Sequence, residues 1–136
     1  MHTTNYADAF IEVAEDCPVD AAVAPPEREP ATVARMQYEA LIDAPYRLTS
    51  DDVVFGVHAA RAGVPDSEWD AARTAFFSKG QPCLRSSPLA KAYGWGFHFD
   101  ADGKVALVAA GSPRYAELAA AAGVKRLRAM RRSRAK

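Results

Sequence analysis

The stretch from Trp95 to Val108 constrains this chain more than any other part of it. Two alternating runs, Trp95-Gly96-Phe97-His98-Phe99 and Lys104-Val105-Ala106-Leu107-Val108, flank Asp100-Ala101-Asp102-Gly103, and this pattern reads as a β-hairpin. A three-residue loop, Ala101-Asp102-Gly103 with Gly103 left-handed, sets Asp100 opposite Lys104, Phe99 opposite Val105 and Phe97 opposite Leu107. Every large side chain then shares one face. A two-residue loop pairs Phe99 with Ala106 and His98 with Leu107, which mixes the faces, so the three-residue register is favoured. His98 is thereby expected to point away from the aromatic face, and Trp95, Phe97 and Phe99 read as a core face rather than a base-stacking platform.

Helices are expected around this hairpin. Thr32 can cap a helix carrying Val33, Met36, Gln37, Tyr38 and Leu41, which Ala44-Pro45 stops. Asp66 opens a second, with Trp69, Ala72, Arg73, Phe76 and Phe77 at helical spacing before Gly80. Ser87-Pro88 and Ser112-Pro113 share a cap-then-proline start, with Gly94 and Gly123 past the ends. Phe10-Ile11-Glu12-Val13-Ala14 reads as a strand. From Asp52 onward Val53, Phe55, Val57 and Ala59 alternate with Val54, Gly56, His58 and Ala60. A strand over 52–60 is preferred to a helix opened by Ser50-Asp51-Asp52 and closed by Gly63, because β-branched and aromatic residues dominate its first half. Pro18, Pro25, Pro26 and Pro30 mark an extended connector. The expected class is α+β: a small, mainly antiparallel sheet of three or four strands, including the 95–100/104–110 hairpin, packed with helices.

The chain has 136 residues, the size of one domain. Its two cysteines, Cys17 and Cys83, are too few for a disulfide framework, and with three scattered histidines they make no zinc pattern, so no metal or cofactor is expected. No leader-like or membrane-spanning run is visible, and a reducing cytosol is the expected setting. Lys125, Arg126, Arg128, Arg131, Arg132, Arg134 and Lys136 follow the last acid, Glu117; seven cations in a chain of zero net charge leave a net charge of minus seven before them. The division expected is one domain over 1–124 and a basic tail over 125–136. An acidic body repels phosphate, so tail docking on the body or on a second copy of the chain is favoured over nucleic acid.

Three ordered blocks carry a resemblance over nearly the whole chain. They are His2-Thr3-Thr4-Asn5-Tyr6 with Phe10 to Pro18; Thr49-Ser50-Asp51-Asp52-Val53 with Phe55; and Phe77-Ser78-Lys79-Gly80 through Cys83-Leu84-Arg85-Ser86-Ser87-Pro88-Leu89 to Tyr93-Gly94-Trp95-Gly96 and His98-Phe99-Asp100. The chain resembles a family of small bacterial proteins classed as a domain of unknown function. The likeness implies a one-domain bacterial protein and carries no activity or ligand.

The densest polar stretch runs from Lys79 to Asp100. Arg85 offers a bidentate fork for a carboxylate or phosphate, and Lys79, Lys91, Tyr93 and His98 are the accompanying candidates for an anionic ligand. Against this, Ser87 reads first as a helix cap, and Arg85 has many surface acids to pair with. Cys83 and His98 are the candidate thiolate and imidazole of an enzyme, although a free cysteine is more often an inert buried residue. Asp51-Asp52 fits a helix-start or loop-cap role better than a metal or acid/base pair. The leading expectation is a small-molecule or protein-binding accessory domain with its site along Lys79–His98. A small enzyme using Cys83 or His98 with Arg85 comes second, and nucleic-acid contact through the tail third.

Overall fold

The hairpin forms in the register that the distribution of large side chains demands. In the computed structural model, which describes residues 1–133, β3 (Trp95–Phe99) and β4 (Lys104–Ala109) pair antiparallel with Phe97 opposite Leu107 and Phe99 opposite Val105. Gly103 has φ +78°, the left-handed geometry a three-residue loop needs. The Asp100 carboxylate accepts from the backbone N–H groups of Asp102 and Lys104, which closes the turn.

Three further strands complete a five-stranded mixed sheet in the order β2-β4-β3-β1-β5. β1 (Ala9–Glu12), expected from its apolar run, lies antiparallel to β3 and parallel to β5 (Lys125–Arg128), while β2 (Leu48–Thr49) pairs with β4. The expectation of three or four mainly antiparallel strands is corrected here. Lys125-Arg126-Leu127-Arg128, read as the opening of a solvated tail, is the fifth strand and runs parallel to its neighbour. Only Leu127 among the four is apolar, and charged side chains are what an exposed edge strand carries to discourage further pairing. Arg134 and Lys136 of the basic terminus lie outside the described residues.

The pleat gives the sheet two unlike faces. Ala9, Ile11, Phe97, Phe99 and Val105 face the main core with Leu41, Val53 and Leu89 from the helices. Phe10 and Val108 face the other way, under Leu118 and Tyr115 of α5 (Pro113–Ala120). His98 is paired with Phe10 across β1 and β3, so it shares this second face. An added Cβ at Gly96 would lie 2.9 Å from the Phe10 ring and from the Ile11 carbonyl, so only glycine lets Phe10 fold over β3.

The helices follow their caps. Thr32 accepts from Arg35 N at the start of α1 (Val33–Leu41), and Ser87 accepts from Leu89 N at the start of α4 (Pro88–Ala92). Ser112 does the same for α5. The strand expected over 52–60 is overturned: Ser50–Ala62 is α2, a helix of 13 residues. Thr49 and Asp52 form a reciprocal capping box, and Gly63 ends the helix at φ +68°. A 3-10 turn at Asp66–Glu68 leads into α3 (Trp69–Phe76), which stops short of Gly80 and packs Trp69 and Phe76 edge-on against Phe55 of α2. Arg73 reaches back to Asp52 at 2.9 Å.

Residues 2–6 cross the molecule as a strap. Asp51, in the first turn of α2, accepts hydrogen bonds from Thr3 Oγ1, Thr4 N and Thr4 Oγ1 at 2.6–2.7 Å, and its own N–H donates to Asn5 Oδ1. His2 N donates to Phe77 O just past α3. Asp51 and Asp52 therefore anchor a helix start, the role preferred for them from sequence. Among the described residues no helix is long and apolar enough to cross a membrane.

Candidate functional site

The residues expected to form one site are divided by the sheet. Cys83 belongs to the helical side: its sulfur lies 3.2 Å from the Tyr6 hydroxyl, and the Tyr6 ring packs against Phe99 at 5.5 Å on the main-core face. His98 is on the opposite face, where its Nδ1 and the Tyr46 hydroxyl share a hydrogen bond at 2.7 Å. Arg85 turns to neither. Its Nε donates to the Arg128 carbonyl at 2.8 Å and its own carbonyl accepts from Met130 N, so it clasps the end of β5. Lys79 is exposed beyond α3, Lys91 sits half-buried in the last turn of α4, and Tyr93 packs half-buried on the main core. A concave surface shared by Cys83, Arg85 and His98 is not what the fold builds.

What it builds instead is a cavity of about 480 Å³ between α1, α2, the end of α3 and the segment 81–88. This lies within the usual range for small-molecule pockets. Its helical wall is a stripe of α2, Val54, Val57, His58 and Arg61, at i, i+3, i+4 and i+7. His58 stacks on Phe76 with ring centroids 4.6 Å apart and planes 30° apart, which gives the cavity a flat aromatic flank. The opposite wall is the segment through Cys83, Leu84, Ser86 and Ser87. Gln81 Nε2 ties that segment to Phe76 O at 2.8 Å, and Ser86 Oγ folds back on Cys83 O.

Polar chemistry is concentrated at two points. On the floor, Gln37 is only 6% exposed, and its carbonyl oxygen accepts from Ser87 Oγ. At the mouth stand His58 and Arg61, both exposed. Among the described residues no aspartate or glutamate lines the cavity, and Arg61 carries its one permanent charge. A guanidinium without a wall carboxylate to neutralise it selects an anionic group. The second depression, about 400 Å³ on the other side of α1 and α2, differs in this respect. Its acids are engaged, Glu39 by Arg35 and Asp52 by Arg73 and Thr49.

The profile of a family of unknown function (DUF6157) matches residues 1–135. The chain belongs to this family. Searches of curated proteins and of solved structures give no match. For this member of DUF6157 the site must therefore be argued from its own geometry. Among the groups considered from sequence, Cys83 with its neighbour Tyr6 lies on one side of the sheet and His98 on the other. Tyr6, beside Cys83, is pushed up to about 12, first by burial and then by the neighbouring sulfur, so its hydroxyl stays protonated at neutral pH. His98 is held below the ordinary imidazole value, first by burial and then by Arg114. Among the described residues no group of three His, Cys, Asp or Glu side chains is placed to hold a metal ion.

His58 and Arg61 are functional candidates that sequence reasoning missed. The signal that finds them is the helical stripe through Val54 and Val57, which exists only when 50–62 is read as a helix.

Proposed function

We propose that the protein is a small-molecule binding module whose cavity accepts a compact apolar body ending in an anionic group. The observation that carries this reading is the charge pattern of the cavity: apolar walls, one guanidinium at the mouth and no acid. The apolar body lies between Val54, Val57 and Leu84 and against the His58–Phe76 flank, the anion meets Arg61, and Gln37 Nε2 donates to a polar atom at the buried end. The site thus overlaps the segment expected from sequence through Cys83 and Ser87, while its charged group comes from α2 rather than from Arg85. Two unpaired thiols suit a reducing compartment such as the bacterial cytoplasm.

Thermal unfolding with a panel of small acids tests this. Benzoate, phenylacetate and hexanoate are expected to raise the melting temperature, with benzyl alcohol and hexylamine as neutral and cationic controls. A ligand at a hundredfold excess over its Kd adds about 2.7 kcal/mol of stability. Arg61→Ala should weaken acid binding by about tenfold, or 1.4 kcal/mol, while Lys79→Ala leaves it unchanged. Stabilisation that is equal for acids and amines, or insensitive to Arg61→Ala, defeats the reading.

Contact with nucleic acid through the basic terminus is a weaker reading. Lys125, Arg126 and Arg128 belong to a strand, Arg131 pairs with Glu15, and the N–H groups of Arg132 and Ser133 bind Asp16.

A further inference from the structure

Independently of the cavity, the geometry points to a second, reactive site on the other face of the sheet, in which Tyr46 is a nucleophile toward an anionic phosphodiester, His98 is its base and Arg114 holds the phosphoryl oxygens. Tyr46 lies in the turn before β2, where its N–H donates to Val105 O and its φ is +58°. A bulky side chain in the left-handed region carries backbone strain, and strain of this kind gathers at functional sites. The turn sets the Tyr46 ring edge-on to the His98 imidazole, with centroids 5.6 Å apart and planes at 87°, and brings the hydroxyl within 2.7 Å of Nδ1. A hydroxyl is a weak nucleophile until a base within hydrogen-bond reach takes its proton, and this distance meets that requirement.

The imidazole is suited to receive that proton. Burial and then the Arg114 guanidinium hold its titration below the ordinary value, against the smaller opposing pull of Asp100 and Asp8, so it is a free base at neutral pH. The pair is also reachable: His98 is half-buried, and Tyr46, 37% exposed, is the most open of the five tyrosines. Arg114, at the start of α5, is exposed and meets Glu117 only at 3.9 Å, a surface contact that an incoming phosphoryl group displaces at little cost. In the reaction Tyr46 Oη attacks phosphorus while its proton passes to His98 Nδ1. The P–O bond to the leaving group breaks, and the departing oxygen keeps the electron pair and takes up the proton from the imidazolium. One diester is exchanged for another, now on Tyr46, with no change of oxidation state.

The test incubates the full chain with bis(p-nitrophenyl) phosphate, follows p-nitrophenolate release by absorbance and locates the adduct by peptide mass spectrometry. The adduct is expected on Tyr46, with Tyr6 and Tyr115, whose hydroxyls burial pushes up, as unreactive references in the same chain. Tyr46→Phe should abolish it. His98→Gln should slow its formation about a hundredfold, the lower end of what a positioned base contributes, and added imidazole should restore part of the rate to His98→Ala, which a merely structural role for the ring would not allow. Arg114→Gln should cut the preference for the anionic diester over neutral p-nitrophenyl acetate about tenfold. An adduct that is absent or spread evenly over the tyrosines, a Tyr46 rate that His98→Gln leaves unchanged, or a preference that ignores Arg114→Gln overturns the inference.

Discussion

His98 shows how one side chain can be placed correctly from sequence and still be assigned to the wrong neighbours. The hairpin register sends its imidazole away from Phe97 and Phe99, as the pattern of large residues requires. The partners it finds there are Tyr46 and Arg114, which lie far from it in sequence and which no local pattern announces. Burial and the nearby guanidinium hold its titration below the ordinary imidazole value of about 6.5. The unfolded chain therefore binds a proton at higher pH than the folded one does. His98 contributes fully to stability above the ordinary value, and the contribution is lost as pH falls through the folded-state value. Urea unfolding midpoints should decline on acidification across that window, and Arg114→Ala should move the His98 titration, followed by NMR, back toward the ordinary value. A His98 resonance that ignores Arg114→Ala would remove the electrostatic part of this account.

At the level of elements, α2 explains both the main misreading and the missed half of the cavity. Val53, Phe55, Val57 and Ala59 alternate as strand residues do. On a helix, however, 53 and 57 form one stripe and 55 and 59 another, roughly opposite it. Val53 packs in the main core while Phe55 and Ala59 pack with Phe77 beneath α3, so the helix is buried on two sides and its pattern mimics a period of two. The local signal that settles the matter is Thr49 with Asp52, reciprocal across the first turn. Thr49→Ala should cost about 1 kcal/mol in chemical unfolding, while Thr49→Ser, which keeps the accepting oxygen, should cost much less. Equal losses for the two would deny the cap its role. The cavity was half legible for the same reason. Cys83 and Ser87 lie on a polar loop that composition marks out, whereas Val54 and His58 join Val57 and Arg61 on one face only on a helix; on a strand the two pairs point to opposite faces. The hairpin, the Ser-Pro helix starts and β1 were all readable, because each carries its own turn or alternation within a few residues. β5 was not, since a strand with one apolar residue in four shows no periodicity.

For the molecule as a whole, the ends of the chain are structural parts. The strap of residues 2–6 joins α2 to the segment after α3 through Asp51 and Phe77, and β5 covers one edge of β1. Ending the chain after Val124 removes β5 together with the clasp that Arg85 makes on Arg128. Such a truncation should lose cooperative thermal unfolding or aggregate through the bared β1 edge. The charge change alone, Arg126→Gln with Arg128→Gln, should leave the melting temperature within about 2 °C, since exposed charges contribute little. A truncated chain that melts as sharply as the whole one would reassign β5 to an accessory role. The same geometry dictates how such experiments are read: a loss of polyanion binding on truncation reports on folding first and on charge second.

The position of β1 also has a consequence during synthesis. Ala9 to Glu12 leave the ribosome long before the two partners that flank them, Phe97 to Phe99 and Lys125 to Arg128, have been made. At about 5–20 residues per second, Phe10 and Ile11 wait on the order of ten seconds for the strands that will shield them. The nascent chain thus carries Phe10 and Ile11 unpaired through the synthesis of everything between, and sheet closure follows that synthesis rather than preceding it.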